Sequence, residues 1–414
     1  MTRSLRRVAV LMLWSVVLVA GVRGLWIATA GPDPGEQAWD DRTAAQLDFL
    51  TFGGASDGDP LADRADAMQR LFPEGRLFTL ALTGLAWHHL VERAAVTAPD
   101  ARDEVRSILA LATNGTTREP FGPAGGLPHG MFYEAWTAQL RLAARREGEE
   151  PDLALVTSCG RLSAALDGAT LFPDSYPGLA WPADAVVGAS ALAQCGELDS
   201  TYTRGARRWL ARVRQQLDPE TGLIPHDVVR PDARGSSTAL MIPFLADIDT
   251  AFARDQYARF EATFGTRLLG VAPTVREYPH GQRGEGDIDS GPVVLGMSAP
   301  ASVVGIAAAR AVGDAETAEA LRATVEAAGL PLQWRGERSY ALGRLPVGDA
   351  FLAWASSLPL AEADAGPHPW RGRWGTVCVL LIMVGVWGLR RSCRPSAGAA
   401  IPPEERPVLA APPR

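Results

Sequence analysis

Arg276-Glu277-Tyr278-Pro279-His280-Gly281-Gln282-Arg283-Gly284-Glu285-Gly286-Asp287-Ile288-Asp289-Ser290-Gly291-Pro292 decides how this chain is read. Four acids, a His, a Tyr and two Arg share a stretch too rich in Gly to be regular. An apolar run of small residues, from Val293 to Ala309, follows at once, so the stretch reads as a polar loop feeding a buried helix. The pattern predicts that helix over 291–312, with Asp289 or Ser290 as its cap and Pro292 in its first turn.

The same arrangement recurs along the chain. Pro73 opens Pro-Glu-Gly, Pro128 opens Pro-His-Gly, Pro177 opens Pro-Gly, Pro225 opens Pro-His-Asp, Pro279 opens Pro-His-Gly, and Pro346 sits in Pro-Val-Gly-Asp. Successive separations are 55, 49, 48, 54 and 67 residues. Between these breakers apolar residues recur at three and four, as in Leu155, Cys159, Leu162 and Leu166, and no period-two run is long enough to build a sheet. The predicted helices are 40–53, 61–71, 74–96, 100–113, 130–147, 151–167, 183–196, 200–216, 236–247, 250–266, 291–312 and 314–329, with one more near 348–357. Each repeat Pro precedes the first member of a helix pair. Six units of about fifty residues are what a closed ring of helical hairpins requires. The expected fold is therefore all-α: an (α/α)6 toroid over 37–369, with an N-terminal and a C-terminal transmembrane helix. In such a ring the loops before the six inner helices gather on one face, around a central cavity suited to a ligand.

Composition narrows the function classes. The formal charge is −7 and no basic face stands out, which argues against nucleic acid as a partner. All 40 basic residues are Arg, so a Schiff-base lysine and a phosphate-loop lysine are both excluded. Of the four Cys, Cys378 and Cys393 belong to the C-terminal segment. Cys159 and Cys195 fall in helical settings; the preferred reading is two buried thiols, with a disulfide left open because spacing does not reveal one.

Both ends read as membrane segments. Val8 to Ala28 is apolar apart from Ser15 and Arg23, with Arg3, Arg6 and Arg7 before it and Asp33 and Glu36 after it. Residues 1–36 are thus a signal peptide or signal anchor, and Ala28-Thr29-Ala30 leaves cleavage open. The second span, 370–391, centres on Trp374 to Leu389, with Arg371 and Arg373 ahead, Arg390, Arg391 and Arg394 behind, and Trp370, Trp374 and Trp387 at interfacial positions. The tail 392–414, rich in Pro and Ala, is expected to be disordered. The positive-inside rule places both termini in the cytoplasm and the main domain outside the cell membrane.

Candidate site residues lie in the loops before the expected inner helices. Asp287 and Asp289 are a potential acid–base pair, since neighbouring carboxyls push their pKa values apart. Asp184 is a third candidate acid or base: it starts a helix beside Tyr176 and Trp181, and aromatics flanking an acid suit a sugar ring or an isoprenoid, the plainer alternative being an acid that favours the helix dipole. His129, His226 and His280 each follow a repeat Pro; His129 and His226 are the orienting or proton-shuttling candidates. No local His spacing supports zinc, so neither a metal nor another cofactor is expected. Tyr133, Tyr278 and His280 are candidate substrate contacts, and Arg234 and Arg276 candidate anion clamps, whose plainer alternative is pairing with Asp227, Asp232 and Glu277.

Pro173-Asp174-Ser175-Tyr176, Trp181-Pro182-Ala183-Asp184, Gly286-Asp287-Ile288-Asp289-Ser290-Gly291-Pro292 and Phe72-Pro73-Glu74-Gly75 resemble the linalool dehydratase/isomerase domain, in the form carried by bacterial membrane proteins. The resemblance spans about Gln37 to Gly329 in outline and implies an (α/α)6 toroid with a central pocket. The characterised enzyme of that family sets a cysteine on either side of its Pro-Asp-Asn-Tyr motif. Here those places fall to Leu171 or Phe172 and to Ala183, so linalool hydration through cysteine is not expected. Similar toroids house glycoside hydrolases and polysaccharide lyases, so the fold alone does not choose a reaction. Three readings follow. One is a membrane-tethered lyase or hydrolase using carboxylates on an isoprenoid, another lipid-like alcohol or a glycan. Another is a non-catalytic toroid that binds glycan or lipid, or serves as an envelope scaffold. The third is an interaction protein with a filled core and no cavity. Oligomeric state is not legible.

Overall fold

A computed structural model describes residues 3–30, 36–53, 58–96, 98–145, 148–230, 232–268, 270–288, 290–361 and 370–393. Asp289, Asp33 and the tail from Arg394 lie outside them. The chain is mostly helical, with few strands. In order it forms α1 (Arg3–Ala30), α2 (Glu36–Thr51), α3 (Pro60–Gln69), α4 (Gly75–Glu92), α5 (Ala98–Thr113), the single turn α6 (Gly115–Arg118), α7 (Gly130–Ala144) and α8 (Leu153–Asp167). It continues with α9 (Pro182–Gln194), α10 (Ser200–Val213), α11 (Gly235–Ile248), α12 (Thr250–Phe264), β1 (Gly265–Leu268), β2 (Ala272–Arg276), β3 (Val293–Val294) and β4 (Met297–Ser298). The last elements are α13 (Ala299–Val312), α14 (Ala315–Ala328), β5 (Leu332–Trp334), β6 (Glu337–Ser339), α15 (Pro346–Ser357) and α16 (Trp370–Cys393).

Two kinds of helix alternate, and the sequence explains why. In α9 every residue from Pro182 to Leu192 is buried, and in α7 every residue from Gly130 to Leu140. Their small and apolar residues run right round the helix, as a helix surrounded by others requires. In α8 only Leu155, Ser158, Cys159, Leu162 and Leu166 are buried, one stripe at helical spacing. The wholly buried helices follow one another in space: α4 packs on α7, α7 on α9, α9 on α11, α11 on α13, α13 on α15, and α15 on α4. Each also packs on an outer neighbour: α5, α8, α10, α12, α14 and α2 respectively, of which α14 is buried from Ala318 to Thr324 because α1 and α16 cover its far side. One contiguous apolar core runs through them.

Capping differs between most members of the two sets, α13 with its Ser298 cap being the exception among the buried helices. Helices α3, α8, α10, α12 and α14 start on Asp59, Asp152, Asp199, Asp249 and Asp314, whose carboxylates accept from first-turn N–H groups. Helices α4, α7, α9, α11 and α15 have no side-chain cap bond. Two of them are covered by the carbonyl of a neighbouring loop: Met131 N–H donates to Asp174 O at 2.9 Å, and Gly235 N–H donates to Glu277 O at 2.9 Å. The loops before successive buried helices are thereby stitched to one another.

Three expectations are corrected. First, sheets exist. β1, β2, β4 and β3 form a small antiparallel sheet in that order, and β5 pairs with β6. Each strand has at most five residues, too few for a period-two pattern to register. Second, the predicted helix 291–312 starts at Ala299, capped by Ser298 Oγ, because Leu295 (φ +54°) and Gly296 (φ +82°) turn the preceding residues into a hairpin on β2. Third, Cys159 and Cys195 form a disulfide, since α8 and the turn after α9 bring their Cα atoms to 6.1 Å.

Helices α1 and α16 are both long and apolar enough to cross a membrane, over Val8–Leu25 and Gly372–Cys393. They pack along a Gly-lined seam. A Cβ on Gly388 would stand 2.2 Å from the Trp14 ring, and one on Gly385 would stand 3.0 Å from the Leu18 backbone. Gly24 meets Trp374 and Cys378, so the pair is antiparallel. Such close approach is how apolar helices associate where no hydrophobic drive separates them. The hairpin docks on the domain through Leu25, Trp374 and Cys378, which pack on Ala272, Ala320, Ala323 and Ala327. Arg23 adds bonds to Glu326, 3.0 Å to its carbonyl and 3.2 Å to its carboxylate.

Candidate functional site

The start of α11 is where the chemistry converges. Arg234 precedes the helix and pairs with the Asp287 carboxylate, and its guanidinium lies 5.3 Å from the centre of the Tyr278 ring. Ser236, in the first turn, donates to Glu277 Oε1 at 2.8 Å. Ser237, beside it, bonds His226 Nδ1 at 3.1 Å. The His226 ring centre is 5.2 Å from that of Trp181, which precedes α9. Glu277 is held by backbone on both sides, with its N–H donating to Gly296 O and its carbonyl accepting from Gly235.

Glu277 is the most perturbed acid of this group. Its side chain is wholly buried and Oε2 has no partner. Burial pushes its pKa up to about 7, against the smaller opposing effects of the Ser236 bond and the Arg234 charge. His226 moves the other way. Burial, helped by the Arg234 charge, lowers it to about 4, so it is a neutral imidazole near neutral pH. Asp287 is lowered: burial alone would raise it, but the Ser290 N–H and Arg234 outweigh that. Near neutral pH the cluster thus holds an ionised carboxylate neutralised by Arg234, a neutral imidazole and a carboxyl balanced between its two forms. A carboxyl poised near the working pH, as Glu277 is, can both give and take a proton.

The remaining expected residues divide into two groups. His129, Tyr133 and Tyr176 surround Phe121: the Tyr133 ring lies 5.5 Å and the Tyr176 ring 6.1 Å from it, and His129 meets Tyr133 edge-on at 5.1 Å. His129 Nδ1 bonds Phe121 O at 2.9 Å, and the Tyr133 hydroxyl donates to Ala112 O at 3.4 Å. Burial raises the Tyr133 pKa. Asp184 is buried in the first turn of α9. Arg276 and His280 hold the loop itself: Arg276 donates to Tyr278 O and Gln282 O, each at 3.2 Å, and His280 Nε2 bonds Gly265 O at 3.0 Å. The Tyr278 hydroxyl closes the loop onto Glu285 O at 2.7 Å. Asp289 cannot be placed, as it lies outside the described residues.

Glu277, Ser236 and Ser237 are the residues that sequence reasoning passed over. Glu277 reads as a surface partner for Arg until β2 carries it under α11. The Gly-Ser-Ser after Arg234, at a helix start with no Asp cap, was the available signal. The loops around the cluster mix exposed apolar residues with exposed Arg230, Asp232, Arg283 and Glu285. Val228, Val229, Ile288, Val294 and Leu295 stand exposed on the loops that carry the cluster, Val229 to 84% and Leu295 to 81%. The middle of the helical array is filled by aromatics: Phe78 packs on Phe132, Trp136 and Phe351, and Trp136 and Trp354 both pack on Phe244. A cavity of about 10 Å³, room for roughly one water, lies between Trp39, Arg42, Gln46, Arg322 and Tyr340, and Glu277 does not line it. It offers no space for an organic substrate. Among the described residues no group of His, Cys, Asp and Glu is arranged to hold a metal ion.

Comparison with protein-family models returned no match, and comparison with curated proteins likewise returned none.

Proposed function

We propose that this chain is a membrane-anchored (α/α)6 toroid whose outward domain performs acid–base chemistry on a lipophilic, isoprenoid-like alcohol, in the manner of a hydro-lyase or isomerase. Glu277 is the proton donor and acceptor, Ser236 relays its proton, and His226 with Trp181 orients the substrate. The Arg234–Asp287 pair sets the local charge. The observation that carries this reading is a buried carboxyl with a pKa of about 7 and an unpartnered oxygen, bonded to a serine at a helix start. The exposed Val and Leu on the surrounding loops favour a lipophilic substrate over a glycan.

The toroid is supported by the cyclic order of helix neighbours, in which α15 returns to α4. The outward placement is supported by the Cys159–Cys195 disulfide, a bond that persists in oxidising compartments, and by the Arg residues at the cytoplasmic ends of both spans. Retention of α1 as an anchor is supported by its Gly seam with α16.

A second reading, a binding or scaffold toroid, is favoured by the aromatic filling of the array, which leaves less room than a deep catalytic pocket. The test is turnover. The full chain in nanodiscs is offered tertiary and primary allylic alcohols and, separately, oligosaccharides, and products are followed by mass spectrometry. Dehydration or isomerisation of an alcohol, lost in Glu277→Gln, supports the enzyme. Saturable binding without product supports the second reading.

A further inference from the structure

The segment from Leu330 to Leu345, including β5 and β6, combines features that water alone does not favour. Leu330, Leu332, Trp334, Leu342 and Leu345 are all exposed, Trp334 to 68%. Leu330, Arg335 and Leu342 also adopt the left-handed backbone, at φ of +49°, +52° and +57°. That conformation costs roughly 1–2 kcal/mol for a residue with a Cβ. Two of the five apolar side chains are therefore held outward at a backbone cost, and such outliers point to function. Arg335 lies 5.8 Å from the Trp334 ring centre, and Arg344 is exposed on the same segment.

The position of the segment says what covers it. Arg338 of β6 pairs with the Glu326 carboxylate, and so does Arg23 of α1, at 3.2 Å. The Tyr340 hydroxyl donates to the same carboxylate at 2.8 Å. Arg23 lies within the apolar stretch Val8–Leu25, two residues from its domain-side end. Leu330 follows Glu326 by only four residues, within about 15 Å along the chain. The backbone ties the two ends of the segment together, as Leu342 N–H donates to Leu330 O. The apolar face is thus continuous with the place where the transmembrane hairpin enters the domain.

We infer that the Leu330–Leu345 segment dips into the outer leaflet as a third membrane contact, with Trp334 and the leucines among the upper acyl chains and Arg335 and Arg344 at the lipid phosphates. Trp at the headgroup level with Arg beside it is the residue choice of membrane interfaces, and an apolar face of this kind enters about 5–10 Å. The contact fixes the tilt of the domain on the bilayer. This rests on the reading of α1 and α16 as membrane spans.

The test uses the full chain in phosphatidylcholine/phosphatidylglycerol nanodiscs, with Cys378 and Cys393 replaced by Ser and the disulfide kept. Nitroxides are placed singly by Trp334→Cys, Leu342→Cys, Val229→Cys as an aqueous reference and Met383→Cys as a span reference. Collision with oxygen and with a water-soluble nickel chelate is compared by electron paramagnetic resonance. The expected result is lipid-like accessibility at 334 and 342, with nickel collision several-fold below that at 229. Nickel collision at 334 equal to that at 229, with 383 in lipid, overturns the inference and leaves the spans standing. Protection at 334 from both oxygen and nickel marks a protein contact and also overturns it. Water-like accessibility at 383 overturns the spans and the inference together.

Discussion

Ser236 donates its hydroxyl to Glu277 at 2.8 Å, while the second oxygen of that carboxyl is buried with no partner. A charged carboxylate would be poorly satisfied there, so the site favours the protonated form up to about pH 7. The sign for stability follows. A carboxyl whose pKa is raised on folding contributes fully below its unfolded value of 4.5, and that contribution is lost as pH rises through about 7. The shift is worth about 3 kcal/mol. Asp349, wholly buried at the start of α15 and also raised to about 7 by burial, adds in the same direction. Urea unfolding between pH 5 and 8 is expected to show stability declining with pH, and the decline should be shallower in Glu277→Gln/Asp349→Asn, with Glu261 and Asp247, raised by burial to about 7 and about 6, keeping the remainder.

His226 has the opposite sign. Its folded pKa is depressed to about 4, so its contribution is present above 6.5 and lost as pH falls toward 4. On the enzyme reading the rate has an acid limb near pH 4, from His226, and an alkaline limb near pH 7, from Glu277. His226→Gln is expected to remove the acid limb of kcat/KM and keep the alkaline one.

The Arg234–Asp287 pair is half open to water, so its worth lies in ordering the loop more than in stability. Arg234→Ala is expected to cost about 1 kcal/mol or less in global stability. The same variant should raise amide exchange over residues 282–288, measured by hydrogen–deuterium exchange, because Asp287 loses its partner while Ser290 keeps only one end of the loop.

How much of this was legible in the sequence depended on the range of the cause. The buried and one-sided helices show as different apolar patterns, all-round in α9 and striped in α8, because helix periodicity is local. The repeat prolines mark the starts of α4, α7, α9 and α15 within about five residues, but Pro225 falls ten residues before α11 and Pro279 twenty before α13, where longer loops and the small sheet intervene. The strands escaped because β3 and β4 have two residues each and exist only through pairing, β4 with β2 and β3 with β4. Glu277 escaped because its burial comes from α11 and Gly296, which are close in space and not in the chain. The Cys159–Cys195 bond escaped because a separation of 36 residues says nothing of distance.

That disulfide ties α8 to the end of α9 and closes a loop whose ends are 36 residues apart in sequence. Its removal in Cys159→Ser/Cys195→Ser is expected to cost roughly 3–4 kcal/mol by loop entropy. Thermal unfolding with and without reductant checks this: reductant should lower the Tm of the native chain and leave that of the double variant unchanged.

Glu326 is buried among Arg23, Arg42 and Arg338 and accepts from Tyr340. Glu326→Gln leaves those guanidiniums without their counter-charge, a loss of about 3–5 kcal/mol. Since Arg23 is on α1, the variant is expected to loosen the domain from its anchor before the domain unfolds. Limited proteolysis between α14 and β5 should detect it.

The central claim is that Glu277 keeps its proton near neutral pH. Infrared difference spectra of the full chain in nanodiscs, with Glu277→Gln subtracted, test it directly through the protonated carboxyl C=O stretch. The account predicts a band present at pH 5.5, half lost near pH 7 and absent at pH 9. A band already gone by pH 5.5 would mean an ordinary ionised carboxylate and would contradict the proposed proton donor.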